Sequence, residues 1–139
     1  MTRENLREKG NLMEEMAAAY LTERGVRILE RNFRSREAEA DIIGKQDGTV
    51  LFIEVKARAE DQKSGAAAEA VGTAKQKRIC RCADYYLHSK GIDPYRTNIR
   101  FDVIAITMRG EQEKSKIRWI RNAFDYVPFS KRKPHWRIW

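Results

Sequence analysis

Three residues in the middle of the chain have types and spacing suited to phosphoryl chemistry: Asp41, Glu54 and Lys56. Glu54 and Lys56 follow the apolar run Val50-Leu51-Phe52-Ile53, which reads as a central β-strand buried on both faces. Two residues apart on a strand, their side chains leave the same face. An unpaired carboxylate or ammonium is costly to bury, so that face requires mutual pairing, a bound cation or a cleft. Asp41 begins a neighbouring strand, and Lys45-Gln46-Asp47-Gly48 reads as a hairpin turn that returns the chain beside it. Two carboxylates meeting there are hard oxygen ligands of the kind Mg²⁺ (or Mn²⁺) takes, with water and substrate phosphate completing the shell. Such an ion activates water and neutralises charge on a phosphate. Lys56 is placed to orient that water or to stabilise the developing charge.

The spacing Asp-x12-Glu-x-Lys has the form of the PD-(D/E)xK nuclease signature, a pattern that also arises by chance. The elements around it are legible. Apolar residues at three- and four-residue spacings (Leu12, Met13, Met16, Ala17, Tyr20, Leu21) predict an amphipathic helix over 5–24, stopped by Gly25. Strands are expected at 26–33, 38–44 and 49–57, then a mobile loop over 58–71. Thr73-x-x-Gln76 reads as a capping box opening a second helix, with Ile79, Ala83 and Tyr86 as its apolar stripe and Gly91 past its end. Further strands are expected at 98–107 and 116–120. This order predicts an α/β fold with helices packed on a mixed sheet.

The formal charge of +8 favours polyanionic partners, since neutralising phosphates releases counterions. Lys75, Lys77 and Arg78 fall in the first turn or so of the second helix, near its positive dipole end. Arg34, Arg36 and Arg58 flank the proposed carboxylates in sequence. These six are the candidate nucleic-acid contacts. Cys80 and Cys82 are expected on roughly opposite faces of the helix, as thiols in a reducing cytoplasm, and with two histidines no Cys/His zinc site assembles. Asp102, in an otherwise apolar strand, reads as a buried partner for an Arg or Lys. No apolar run is long enough to span a bilayer, and residues 1–11 lack a signal-peptide core, so a cytoplasmic protein without membrane contact is expected.

The chain resembles the YraN-like uncharacterised protein family in a series of ordered blocks. These are Glu14-x-x-Ala17-x-x-Tyr20-Leu21-x-x-x-Gly25, Ile28-Leu29-x-x-Asn32-x-Arg34, Glu39-x-Asp41-Ile42-Ile43 and Phe52-Ile53-Glu54-Val55-Lys56-x-Arg58. Gly65, Ala70-Val71, Lys75-x-x-Arg78-Ile79, Tyr86-Leu87, Arg100-Phe101-Asp102-Val103-Ile104 and Trp119-Ile120-x-x-Ala123-Phe124 continue the match. The resemblance implies a predicted endonuclease related to Holliday-junction resolvases, on a restriction-endonuclease-like three-layer fold. It implies a site of Glu14, Asp41, Glu54 and Lys56, with Asp41 and Glu54 as metal ligands. The chain departs from the family at Met13 and Ala38, where Gly is usual, and at Ala40, where a larger apolar residue is usual.

The resulting expectation is a Mg²⁺-dependent endonuclease acting on DNA, branched DNA included, with residues 1–124 as the nuclease domain. Residues 125–139 form a basic tail containing tryptophan. That tail or an exposed strand edge offers a homodimer contact. The alternatives are a catalytically inactive nucleic-acid-binding module with the same fold, and a basic structural protein of a ribonucleoprotein.

Overall fold

Helix α1 (Arg3–Glu23) opens on Thr2, whose hydroxyl accepts the N–H of Asn5 at 3.1 Å and so satisfies one of the free first-turn donors. It closes in a Schellman arrangement. Gly25 takes φ 90, a conformation that costs glycine little. The N–H groups of Gly25 and Val26 then reach back to the carbonyls of Thr22 and Leu21 at 3.1 and 3.0 Å. This computed structural model describes residues 2–36, 38–59, 71–108 and 115–126.

A meander follows: β1 (Arg27–Ser35), β2 (Ala38–Gln46) and β3 (Thr49–Ala59), each antiparallel to the one before. Asp47 and Gly48 both take positive φ in the β2–β3 turn, as an Asp-Gly hairpin requires. Helix α2 (Thr73–Ser89) precedes β4 (Asn98–Met108), which returns parallel to β3; β5 (Lys116–Phe124) is antiparallel to β4. Spatial order equals sequence order, β1 to β5.

Alternation along the strands divides the core. Leu51, Ile53, Ile104 and Ile106 face Met13, Ala17 and Leu21 of α1. Val50, Phe52, Phe101 and Val103 face Ile79, Cys82, Ala83 and Tyr86 of α2. The protein is therefore a three-layer α/β structure with a mixed five-stranded sheet between two helices, as the residue pattern predicts. No helix among the described residues is long and apolar enough to cross a membrane.

Several local expectations are corrected. The capping box does not form: Gly72 is the N-cap of α2, without a side-chain cap, and Thr73 is already helical. The Gln76 amide donates instead to the Val71 carbonyl at 2.7 Å. Strands β3 and β5 run beyond the expected ends. Cys80 and Cys82, two apart on the helix as expected, are both buried in the α2-side core, because α2 embeds more than a narrow stripe. Burial pushes the Cys82 thiol up to about 12, so it stays protonated and unreactive at neutral pH. Neither Met13 nor Ala38 takes positive φ, so the family's usual glycine is not required at either position. Of the loop predicted over 58–71, residues 58 and 59 belong to β3 and residues 60–70 lie outside the described residues, as do residues 127–139 of the predicted tail.

Gly44 marks the closest approach of β2 to the start of β1. A Cβ there would stand 2.6 Å from Val26 Cγ1 and 3.2 Å from the Arg27 carbonyl oxygen. Gly44→Ala is expected to cost about 1–3 kcal/mol through overpacking, read as a lower urea midpoint. A midpoint unchanged from the parent would show that the α1–β1 connection gives way freely.

Candidate active site

The backbone ladder between β2 and β3 runs from Gln46↔Thr49 to Ile42↔Ile53. Beyond it, Asp41 Oδ2 accepts the Val55 N–H at 2.8 Å. The carboxylate thus takes a strand donor that the β2 backbone leaves unused, and it is fixed between the two strands.

A phase change on the neighbouring strand accompanies this wedge. Arg31 pairs with Ile42 and Phe33 with Ala40. Yet Ile42 belongs to the α1-side core, whereas Phe33 and Ala40 pack on the α2 side. The period of two is therefore broken between them, at Asn32, whose φ is 54, and at its neighbour Asp41. Arg31 meets Glu15 of α1 at 2.7 Å, consistent with its turning to that side.

Glu54 keeps the phase of Val50 and Phe52 and so points to the α2 side. With Lys56, Val71, Gly72 and Lys75 it lines a cleft of about 250 Å³. Lys75 Nζ lies 3.5 Å from Glu54 Oε2 and 2.5 Å from Glu39 Oε1. Burial, then the charge of Asp41 and hydrogen bonding between the two carboxyl groups, pushes the Glu54 carboxyl up to about 7 despite Lys75. The uncapped start of α2 adds the positive end of a helix dipole to the same cleft.

Glu14 joins from α1. Burial and then the charge of Asp41 raise its carboxyl pKa, against the pull of Arg31 and Arg34. Asp41 is therefore the group felt by both glutamates, Glu14 from the α1 side and Glu54 from the α2 side. The structure brings Glu14, Asp41 and Glu54 into electrostatic contact and sets Lys56 in the cleft with Glu54.

Sequence reasoning missed Glu39 as a participant. It receives Lys75, Arg34 at 3.4 Å and Arg78 at 3.5 Å. The hydrogen bond from Lys75 holds its carboxyl below the ordinary range. The available signal was its place two residues before Asp41, but strand spacing alone cannot show which cations turn toward it. Lys75, expected to contact nucleic acid, turns inward to Glu39 and Glu54. Burial opposes its charge, but the hydrogen bond to Glu39 prevails and raises its pKa. Arg34 and Arg78 are engaged yet half exposed, while Arg36 and Lys77 are exposed. The Arg58 side chain lies outside the described set.

Asp41 and Glu54 offer the hard oxygen atoms that Mg²⁺ takes. Among the described residues no group of three or more His, Cys, Asp or Glu is arranged to enclose a metal ion. The donor set is thus an open pair, with Glu14 near Asp41. Two carboxyl groups that resist joint ionisation are the arrangement a divalent cation relieves, so these residues fit such an ion.

The profile of the uncharacterised protein family UPF0102 matches residues 13–106. A UPF0102 protein of Syntrophus aciditrophicus is 47% identical over 122 residues, covering 88% of this chain and 91% of that protein. One from Colwellia psychrerythraea is 38% identical over 117 residues, with 84% and 88% covered. One from Chlorobium phaeobacteroides is 50% identical over 101 residues, with 73% and 77% covered. Matches of this extent, spanning α1, the sheet's first four strands and α2, place the carboxylates inside the shared region: the chain is a member of the UPF0102 family.

Proposed function

We propose that the protein is a Mg²⁺-dependent endonuclease of the PD-(D/E)xK kind, hydrolysing phosphodiester bonds in DNA on a restriction-endonuclease-like fold. The observation that carries this reading is the Asp41–Glu54 pair. Asp41 is held between strands by the Val55 N–H, and Glu54 is partly buried beside it with its carboxyl pushed up to about 7. An arrangement that penalises its own charge is unusual away from functional sites.

When bound, Mg²⁺ supplies charge neutralisation at the phosphate and a more acidic water. The chain's own residues supply the rest. Asp41 and Glu54 would hold the ion, and the Val55 N–H fixes the direction of Asp41. Lys56, on the same strand face as Glu54, holds the attacking water or meets charge growing on the phosphate oxygens. Arg34 and Arg78 present cations at the rim, where the basic surface draws in the DNA backbone.

One observation favours a second reading, a DNA-binding module without catalysis. Lys75 already sets an ammonium against Glu54 and Glu39, which partly does the work of a metal.

The test incubates single-stranded, duplex, flap and four-way DNA with Mg²⁺ or Mn²⁺, alongside calorimetric titration of Mn²⁺. Metal-dependent cleavage that falls about 100-fold or more in Lys56→Ala is expected, with a metal-binding signal that Asp41→Ala abolishes. Cleavage unaffected by both substitutions, or none of any substrate, would leave the binding module. Resolving a four-way junction takes two sites, so a strictly monomeric protein on junctions would exclude that specialisation.

A further inference from the structure

Outside the carboxylate cleft, residues at the adjoining ends of β1 and β2 and on the outer face of α2 line a groove of about 820 Å³. The described residues that line it are Ser35, Arg36, Ala38, Arg81 and Tyr85, which bring two guanidinium groups and a phenol ring. Tyr85 is 51% exposed, with Leu12 and Tyr95 one of the large apolar side chains most open to water among the described residues. It is nevertheless braced: Phe33 of β1 lies behind it with ring centroids 6.0 Å apart. A held aromatic face between cations is a stacking surface for a nucleobase with its phosphates paired on either side.

The groove and the carboxylate site both draw on β2 and α2. Ala38 in its floor precedes Glu39, the residue that receives Lys75 and Arg78. Along α2, residues 75, 78, 81 and 85 follow at three- and four-residue steps, so they form one stripe about 15 Å long from the carboxylates to Tyr85. Lys75, Arg78 and Arg81 supply its cations, and Asp84, the next residue at a three-residue step from Arg81, accepts the Tyr126 hydroxyl at 2.7 Å.

We propose that this groove seats an unpaired base of the DNA strand flanking the scissile phosphate, stacked on Tyr85 with its backbone held by Arg36 and Arg81. The inference rests on the nuclease reading for what lies at the far end of the stripe, but the subsite binds without any chemistry. It makes the preferred substrate a strand that leaves its duplex near the cut, because a paired base cannot present its face to Tyr85.

The test measures fluorescence anisotropy of a labelled oligothymidylate, and of an abasic oligomer of equal length, both in EDTA so that nothing is cleaved. Tyr85→Ala is expected to weaken oligothymidylate binding roughly ten-fold and to leave abasic binding unchanged within about two-fold. Tyr85→Phe keeps the ring and retains the parent's affinity. The double variant Arg36→Ala, Arg81→Ala weakens both oligomers. Parent-like binding of oligothymidylate by Tyr85→Ala overturns the proposal, as does an equal loss on both oligomers, which would report general damage or a pure charge surface. If base-dependent binding holds while no DNA is cut under any metal, the nuclease reading falls and the subsite stands. Cleavage with no role for Tyr85 gives the reverse.

Discussion

Glu54→Gln is expected to remove metal-dependent cleavage and, at pH 8 without metal, to make the protein more stable than its parent. Both effects have one cause. In the folded protein burial and Asp41 raise the Glu54 carboxyl to about 7, from 4.5 in the unconstrained group. The folded state therefore binds that proton more tightly than the unfolded state does. Glu54 destabilises least below 4.5, and stability falls as pH rises from there through about 7. At pH 8 the penalty on the ionised side chain is on the order of 3 kcal/mol. Glutamine keeps the shape and hydrogen-bonding ends but never ionises. Lys75 retains Glu39 as its partner in the variant.

Urea midpoints in EDTA between pH 5 and 8 check this, taken as the difference between parent and Glu54→Gln. Glu14 shifts in the same direction and Glu39 in the other, but both are present in each protein, so the difference isolates Glu54. The variant's advantage grows with pH across this window. Mg²⁺ is expected to stabilise the parent and not the variant, reversing their order, while cleavage drops about 1,000-fold. A parent and variant with parallel stability curves would mean that Glu54 is not held at a cost, and the argument for a cation site at this strand end would fail.

The element pattern around that strand is legible because burial on one or both faces writes itself into the residues. Helical spacing placed α1, the four-residue apolar run placed β3 in the centre, and Asp47-Gly48 fixed the hairpin that brings Asp41 back to Glu54. The pairing of Glu54 with Lys56 on one face also follows from strand period alone. What the pattern does not carry is interruption of that period. Phe33 and Arg31, two apart, go to opposite sides of the sheet because Asn32 takes φ 54, and no alternation of apolar and polar types records it. Long side chains are equally illegible. Lys75 reads as one of several cations at the start of a helix, and only the position of β2 beneath α2 shows that it reaches Glu39 and Glu54. The capping-box reading of Thr73-x-x-Gln76 failed for a related reason: Gly72 takes the N-cap position and Gln76 finds the Val71 carbonyl instead.

The irregularity between β4 and β5 is built as that at Asn32 and Asp41 is, and it carries the larger stability effect. Between Phe101↔Phe124 and Val103↔Ile120 the β5 strand gains residues on β4, with Asn122 at φ 54. Asp102, 1% exposed, fills the break. It accepts the Asn122 N–H at 2.9 Å, the Trp119 indole N–H at 2.8 Å, and two guanidinium N–H groups of Arg100 at 2.9 Å each. In both places an aspartate takes a backbone donor where strand pairing lapses. At Asp102, however, the charge is matched by Arg100 and enclosed, whereas Asp41 stands beside another carboxyl group. Asp102 is thus the structural aspartate and Asp41 the candidate catalytic one. Asp102→Ala strands an indole N–H, a backbone N–H and a partly buried guanidinium, and is expected to cost about 3–5 kcal/mol. Urea denaturation followed by circular dichroism measures it, with faster hydrogen exchange at the Asn122 amide as the local sign. Because Asp102 lies in register with Ile53, immediately before Glu54, the variant also loosens the strand that carries the site. Its residual cleavage should follow the folded fraction. A stable Asp102→Ala protein with selectively lost cleavage would instead assign Asp102 a part in the chemistry.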